Sequence, residues 1–307
     1  MLAPPEAEAQ TSSDECCIEL LTPIGARTLG LGHAVVARSW AGALFANPAA
    51  VAEAGVDQFL VHSSQNPIFP SNTFSVLIHS EIIGTVGVTY RLVDLATVPA
   101  TDGSGNVTGE LHILDHVLTA TYATIVTDGL RAGLSYTLFQ YRHDCRGFCE
   151  NEVSAATTHL IDAGVQYRVP FAPKLELGAA LLHVGFPLQV INAEQASPSP
   201  SRLRLGAAHE VLQHVRQDSA FTLWISADVE ASVRRPGEAM AGIGAELGVQ
   251  ETLFLWTGYG AGSGLLGGPA IGVGLRYDRF LVGVSQSFAS DFGDEANPFQ
   301  VSFGIRF

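Results

Sequence analysis

Lysine is nearly missing from this chain. Of 16 basic residues only Lys174 is lysine, the rest are arginine, and they face 30 acidic residues for a formal net charge of −14. Binding nucleic acid needs a basic face to neutralise phosphate, so this balance excludes it. Arginine keeps its charge and offers a planar fork, which suits enclosed ion pairs better than solvated surfaces. Long apolar runs are also missing. No stretch approaches the roughly 18 residues that a membrane-spanning helix needs, yet hydrophobic residues make up 47% and mean hydropathy is +0.24. Such a chain must hide its apolar surface in a core or present it to lipid from strands. The 32 glycines and 15 prolines are spread rather than clustered, so no flexible linker divides the chain.

Catalytic signatures are absent as well. There is no nucleophile elbow, HExxH or Walker sequence. The segment GSGLLG (262–267) matches the dinucleotide glycine spacing but falls in an expected hairpin loop, not between a strand and a helix. His112 and His116 share a strand face about 13 Å apart, too far to hold one metal. The chain therefore reads as no enzyme, with no cofactor and no metal. Cysteines number four. Cys145 and Cys149 flank RGF in an expected extracellular loop, where a local disulfide is the first reading and a metal site with His143 the second. Cys16 and Cys17 follow no lipoprotein box and are expected to be free or joined elsewhere. The opening MLAPPEAEAQ lacks the charged and apolar regions of a full signal peptide, but Ala7-Glu8-Ala9 has the form of a cleavage site, so residues 1–19 read as a tail with a signal remnant.

What is present is alternation. In SRLRLGAAHE, Leu203, Leu205 and Ala207 oppose Arg202, Arg204 and Gly206. In GLRAGLSYTL, Leu130, Leu134, Tyr136 and Leu138 oppose Arg131, Gly133, Ser135 and Thr137. Strands are expected near 57–65, 72–80, 82–94, 111–126, 129–142, 157–168, 173–185, 201–210, 220–231, 238–249, 251–260, 268–278, 280–288 and 299–307. Connections after odd-numbered strands are mostly long and those after even-numbered strands mostly short, as in outer-membrane barrels. A soluble β-sandwich also alternates, but its polar face should carry lysine and glutamate, whereas this one is Gly, Ala, Ser and Thr with arginine. The last strand, FQVSFGIRF, puts five large apolar residues on one face and ends on Phe307, which invites aggregation in water and is ordinary in lipid. The fold class is therefore all-β: a transmembrane antiparallel barrel of about fourteen strands over 57–307, in contact with outer-membrane lipid. With the apolar face outward, Arg91, Arg131, Arg168, Arg202, Arg204, Arg276 and Arg306 point into the lumen, together with Asp115, Asp162, Glu176, Asp228, Glu230 and Glu246. Their near-balance of sign is expected to give mutual ion pairs, with a polar translocation path as the other reading.

The stretch LLTPIGARTLGLGHAVVARSWAGALFANPAAVAEAG (20–55) resembles the N-terminal signature of PorV/PorQ-type outer-membrane proteins, relatives of the FadL-type channels for hydrophobic compounds. The resemblance rests on Gly25-Ala26-Arg27, Gly30 and Gly32, and Asn47-Pro48-Ala49, with later likenesses at LIDAGVQYR, LRLGAAHE and IGVGLRYDRF. It implies that residues 20–56 fold into the lumen as a plug containing the Asn-Pro turn. It also implies a conduit for hydrophobic small molecules in the cell outer membrane, or alternatively a membrane-embedded partner of a secretion or surface-protein attachment system, or a structural subunit of an outer-membrane complex. Two positions depart from the pattern: His33 stands where glycine is expected, and Trp256 where arginine is usual.

Overall fold

The structure is a computed structural model that describes residues 15–148, 155–190, 194, 196–216, 219–262, 267–288 and 297–307. Its strands are β1 (Gln58–Gln65), β2 (Ser71–Ser80), β3 (Gly84–Thr101), β4 (Val107–Thr127), β5 (Leu130–Gly147), β6 (Ala155–Arg168), β7 (Leu175–Gly185), β8 (Arg202–Arg216), β9 (Ser219–Ser232), β10 (Ala239–Val249), β11 (Leu253–Gly262), β12 (Gly268–Tyr277), β13 (Phe280–Ser287) and β14 (Phe299–Arg306). They form one closed barrel in which each strand pairs with its neighbours in sequence, and β1 pairs antiparallel with β14 from Gln58↔Arg306 to Gln65↔Phe299. No helix among the described residues is long and apolar enough to cross a membrane.

Period-2 alternation explains the strands, and its polarity is inverted relative to a soluble protein. Leu205 is 52% exposed and Leu134 56%, while Arg204 and Arg131, on the opposite faces of the same strands, are 9% and 1% exposed. The same holds in β2, where Phe74, Val76 and Ile78 face out and Thr73 and Ser75 face in. A sandwich would bury the apolar set, because burial removes it from water at roughly 25 cal/mol per Å². Here the apolar belt faces outward around the whole ring, and the polar and small residues line the interior.

Most strand bounds follow the alternation, but the β3–β4 hairpin does not end where sequence reasoning placed it. The expected loop from 94 to 110 is largely strand, with β3 and β4 paired as far as Thr101↔Val107 through register shifts at Asp94/Ala96 and Ala100/Thr101. Pro99 argued for a loop because it cannot donate to a ladder. It is tolerated because β2 stops at Ser71↔Val93, so β3 beyond Val93 is an edge strand. A tight turn closes the hairpin, with Asp102 Oδ1 accepting from the N–H groups of Ser104 and Asn106 at 2.9 Å. Likewise β5 runs past residue 142 to Gly147, and β8 past residue 210 to Arg216 by way of a bulge at Glu210/Leu212.

Ahead of β1 the chain forms four short pieces: 3-10 turns at Ile18–Leu21, Ala41–Phe45 and Pro48–Val51, and the one-turn helix α1 at Ala26–Gly30. Packing starts before the boundary drawn at residue 20. Glu15 pairs with Arg202 at 2.8 Å, and Cys16 and Cys17 are joined to each other in a disulfide. That disulfide sits in an apolar cluster with Val117, Phe139, Leu160 and Leu188. The expected Cys145–Cys149 bridge involves Cys149, which lies outside the described residues.

A closed ring with an apolar exterior should need detergent for extraction. It should also migrate faster on a gel when unheated than when boiled, because the ladder closes on itself from β1 to β14 and leaves an open edge only where a strand outruns its neighbour, as β3 outruns β2. Equal mobility before and after boiling would contradict ring closure.

Candidate functional site

The interior face of the ring meets residues 26–52, and three polar side chains make the junction. The first is Glu246 on β10. Its Oε2 accepts from Arg27 Nε at 2.5 Å and from Trp256 Nε1 at 2.9 Å, and its Oε1 accepts from Arg27 at 2.5 Å and Arg38 at 2.8 Å. Arg27 is also stacked 4.0 Å over the Trp40 ring. Trp256 therefore supplies a donor at the position where arginine was expected, and Gly274 and Gly283 leave room for its indole. Burial pulls Arg38 down to about 10, opposed by the Glu246 charge, and it stays cationic at neutral pH.

The second is Asp228 on β9, whose Oδ2 accepts from the N–H groups of Val35 and Val36 at 2.7 and 2.8 Å. The third is Asn47. It caps the 3-10 turn Pro48–Val51 by accepting from Ala49 N–H at 3.0 Å, and its amide donates to the carbonyls of Val36 at 2.9 Å and Val165 at 3.0 Å. Asn47 is fully buried, so these bonds replace all of its hydration. The wall makes way for the turn: a Cβ on Gly164 would fall 2.0 Å from Asn47 Oδ1, and one on Gly133 would fall 2.4 Å from the Pro48 carbonyl carbon.

The remaining singled-out residues divide by partner. Ala26 donates its N–H to Ser302 Oγ, and Gly25 has φ +96, a left-handed value that glycine adopts at little cost. Gly32 and Gly30 pack so closely on Tyr259 and Ser285 that a side chain would clash. Arg131 and Arg168 pair with Glu53 and Glu176, Arg204 pairs with Glu230 at 3.1 Å, and Asp162 accepts from the His183 N–H at 2.6 Å. Arg91 instead donates to the Glu19 carbonyl and the Thr22 hydroxyl, and Asp115 is buried with its Oδ1 unpartnered. Arg276 and Arg306 form no ion pair among the described residues. Among the described residues, pairing within the set is confined to Arg131 and Arg168 with Glu176 and to Arg202 and Arg204 with Glu230; the other charges turn to groups outside it or stand unpaired.

Sequence reasoning missed several interior groups. Gln166 donates to the carbonyls of Val36 and Arg38, Gln300 donates to that of Pro23, and Ser302 bridges Ala26 and His62. Each is a polar residue in step with the interior alternation, which was the available signal. His33 explains the first departure from the family pattern, since its φ of +69 is a value that glycine adopts freely. Burial, with the Arg204 guanidinium beside it, pushes its imidazole down to about 3.

Two cavities border this junction, and both touch Ile24 and Thr28. One, of about 70 Å³, reaches Leu20, Phe45, Val117, Arg91 and Arg204. The other, of about 270 Å³, lies toward Trp40, Phe254, His62 and Arg276. No group of three or more His, Cys, Asp and Glu that could hold a metal occurs among the described residues.

No family model matches the sequence, and no curated protein matches it. The fold is shared with solved structures of low identity. The Ralstonia pickettii toluene transporter TbuX aligns with a TM-score of 0.61 at 12% identity, over 92% of this chain and 98% of that one. The P. putida toluene transporter TodX gives a TM-score of 0.60 at 12% identity, over 92% and 98%. A Pseudomonas aeruginosa FadL homologue gives 0.51 at 12%, over 93% and 99%. The neighbours are thus FadL-type hydrophobic channels, and what is common is the barrel.

Glu246→Ala should leave Arg27 and Arg38 enclosed without their counter-charge, at a cost of about 3–5 kcal/mol. Asn47→Leu should cost about 1–3 kcal/mol for each carbonyl or N–H it orphans. Urea unfolding of detergent-held protein measures both, and a cost under 1 kcal/mol for Glu246→Ala would show that the junction does not depend on it. His33 adds a pH signature. Its folded value lies below the 6.5 of the free side chain, so its stabilising contribution is complete above pH 6.5 and declines as pH falls toward 3, by about 1.4 kcal/mol per unit. Protection factors for amide exchange in residues 26–52, corrected for the intrinsic rate at each pH, should fall from pH 7 to 5, and His33→Gly, which suits the backbone, should flatten that dependence.

Proposed function

We propose that the chain is an outer-membrane conduit for hydrophobic small molecules, with residues 1–19 as a tail, 57–307 as the barrel and 20–56 as its plug. The observation that carries this reading is the pair of cavities that share Ile24 and Thr28 in their linings, within a ring whose exterior is apolar. A lumen of fourteen strands is too wide for wall side chains to fill, since about eight strands is the limit for that. Arg27, Arg38 and Asn47 supply the polar contacts that hold a filler in place. Toluene is the cargo named for TbuX and TodX, and the aromatic part of the lining here, Phe45 in one cavity and Trp40 and Phe254 in the other, suits a flat apolar body. The outward belt fits lipid, and the long connections on one rim fit the cell exterior.

The finer likeness to PorV/PorQ proteins rests on the Gly25-Ala26-Arg27 and Asn47-Pro48-Ala49 motifs. A role as a membrane-embedded partner of a secretion or surface-protein attachment system is favoured by one feature. Strands β3 to β5 stay paired with one another beyond the Ser71↔Val93 limit of β2, and so offer a raised sheet on that rim.

Conductance in planar bilayers tests the conduit and its plug together. The full chain should conduct little, deletion of residues 20–55 should open a large and steady pore, and Asn47→Leu should leak intermittently. Equal conductance of all three would place the segment outside the current path.

A further inference from the structure

The 270 Å³ cavity carries more hydrogen-bond donors than its own walls can use. His62, 6% exposed, borders it with an Nε2 that has no partner. Ser302 Oγ accepts from Ala26 N–H at 2.8 Å and lies 2.8 Å from His62 Nδ1; the tautomer in which the hydroxyl donates to Nδ1 carries the imidazole proton on Nε2. The Thr28 hydroxyl and Arg276 Nε, both on the same cavity, are also without partners. Charge points the same way. Glu246 has both oxygens occupied by Arg27, Arg38 and Trp256, and Glu53 is held by Arg131 and Arg168. Arg276 and Arg306 line the same cavity, and neither has a carboxylate within ion-pair distance among the described residues. The remaining wall is aromatic: Arg276 lies 5.0 Å over the Phe254 ring, and Trp40 and Trp256 complete that side.

Unpaired donors, surplus positive charge and flat rings in one enclosed space define a ligand that is planar, apolar and anionic at one end. We propose that this cavity binds a small aromatic carboxylate, with its ring among Trp40, Trp256 and Phe254 and its carboxylate toward Arg276, Arg306 and the His62 Nε2–H. Size agrees. An apolar cavity of roughly 150 Å³ admits benzene, so about 270 Å³ takes a ring with its carboxylate and leaves no room for a long acyl chain. The proposal narrows the cargo of the conduit proposed above and rests on that reading for the ligand's route in, but not for binding itself.

Calorimetry on the full chain in detergent, with benzoate, toluene and acetate as probes, tests the site. Benzoate should bind saturably and about tenfold or more tighter than either toluene or acetate, and should quench tryptophan fluorescence through Trp40 and Trp256. Arg276→Gln and His62→Phe should each weaken benzoate by about tenfold, the loss expected for one charge-assisted hydrogen bond, and leave toluene unchanged. Raising ionic strength on the unaltered protein should weaken benzoate alone, a measurement that holds even where a variant misfolds. Benzoate binding no tighter than toluene, or insensitive to salt and to both substitutions, overturns the proposal. Entry of the probes into protein-loaded liposomes separates the two readings. Toluene flux without benzoate binding rejects this site and leaves the conduit, whereas benzoate binding without flux of any probe rejects the conduit and leaves the site.

Discussion

One carboxylate, that of Glu246, joins the two parts of the chain. It is nearly fully enclosed, and an enclosed charge is costly unless it is paired and its lone pairs are used. Here Arg27 and Arg38 from the N-terminal segment and Trp256 from the wall use all of it. The arginines in turn fix where α1 and the following turn can sit, and the indole fixes where β11 meets β10. Moving any one of the three leaves a charge or a donor bare, so the group behaves as a unit.

The same logic extends around the ring. Backbone groups of a segment without long helices must find partners elsewhere, and Asp228, Asn47, Gln166 and Gln300 provide them. Asn47 and Asp228 can approach closely because the wall beside them is glycine, Gly164 at one and Gly206 at the other. Close approach and polar satisfaction thus depend on each other. A larger wall residue would hold the backbone off and strand the very carbonyls that these side chains serve.

Strand number, order and facing were legible because period 2 is a local property that Leu203-Arg204-Leu205 displays without help from the fold. The β3–β4 hairpin was not, because whether Pro99 breaks a strand depends on whether β2 is still beside it, which no local pattern records. Asn47 could be read as the cap of a turn, but its partner carbonyl at Val165 lies 118 residues away and only closure of the ring brings it near. Gly133 and Gly206 were visible as small residues on the polar face, without the Pro48 and Val36 atoms that require them. His62 and Ser302 were single polar residues in the interior step, unremarkable until a cavity gave one an unshared proton and the other a relay. The departures at His33 and Trp256 were visible but mute until φ at one and the Glu246 contact at the other gave them physical causes.

The seam between β1 and β14 sets an order of events. Every other ladder joins strands adjacent in sequence and can zip as the chain becomes available, whereas Gln58↔Arg306 joins opposite ends of the barrel portion. Closing that loop carries the largest single entropic cost in the topology, although the cost grows only as the logarithm of loop length. It cannot be met until the last strand exists. Residues 26–52, which hydrogen-bond the interior-facing side chains of the strands, precede β1, so their partners on β9 and β10 are available to them before that last pairing is made.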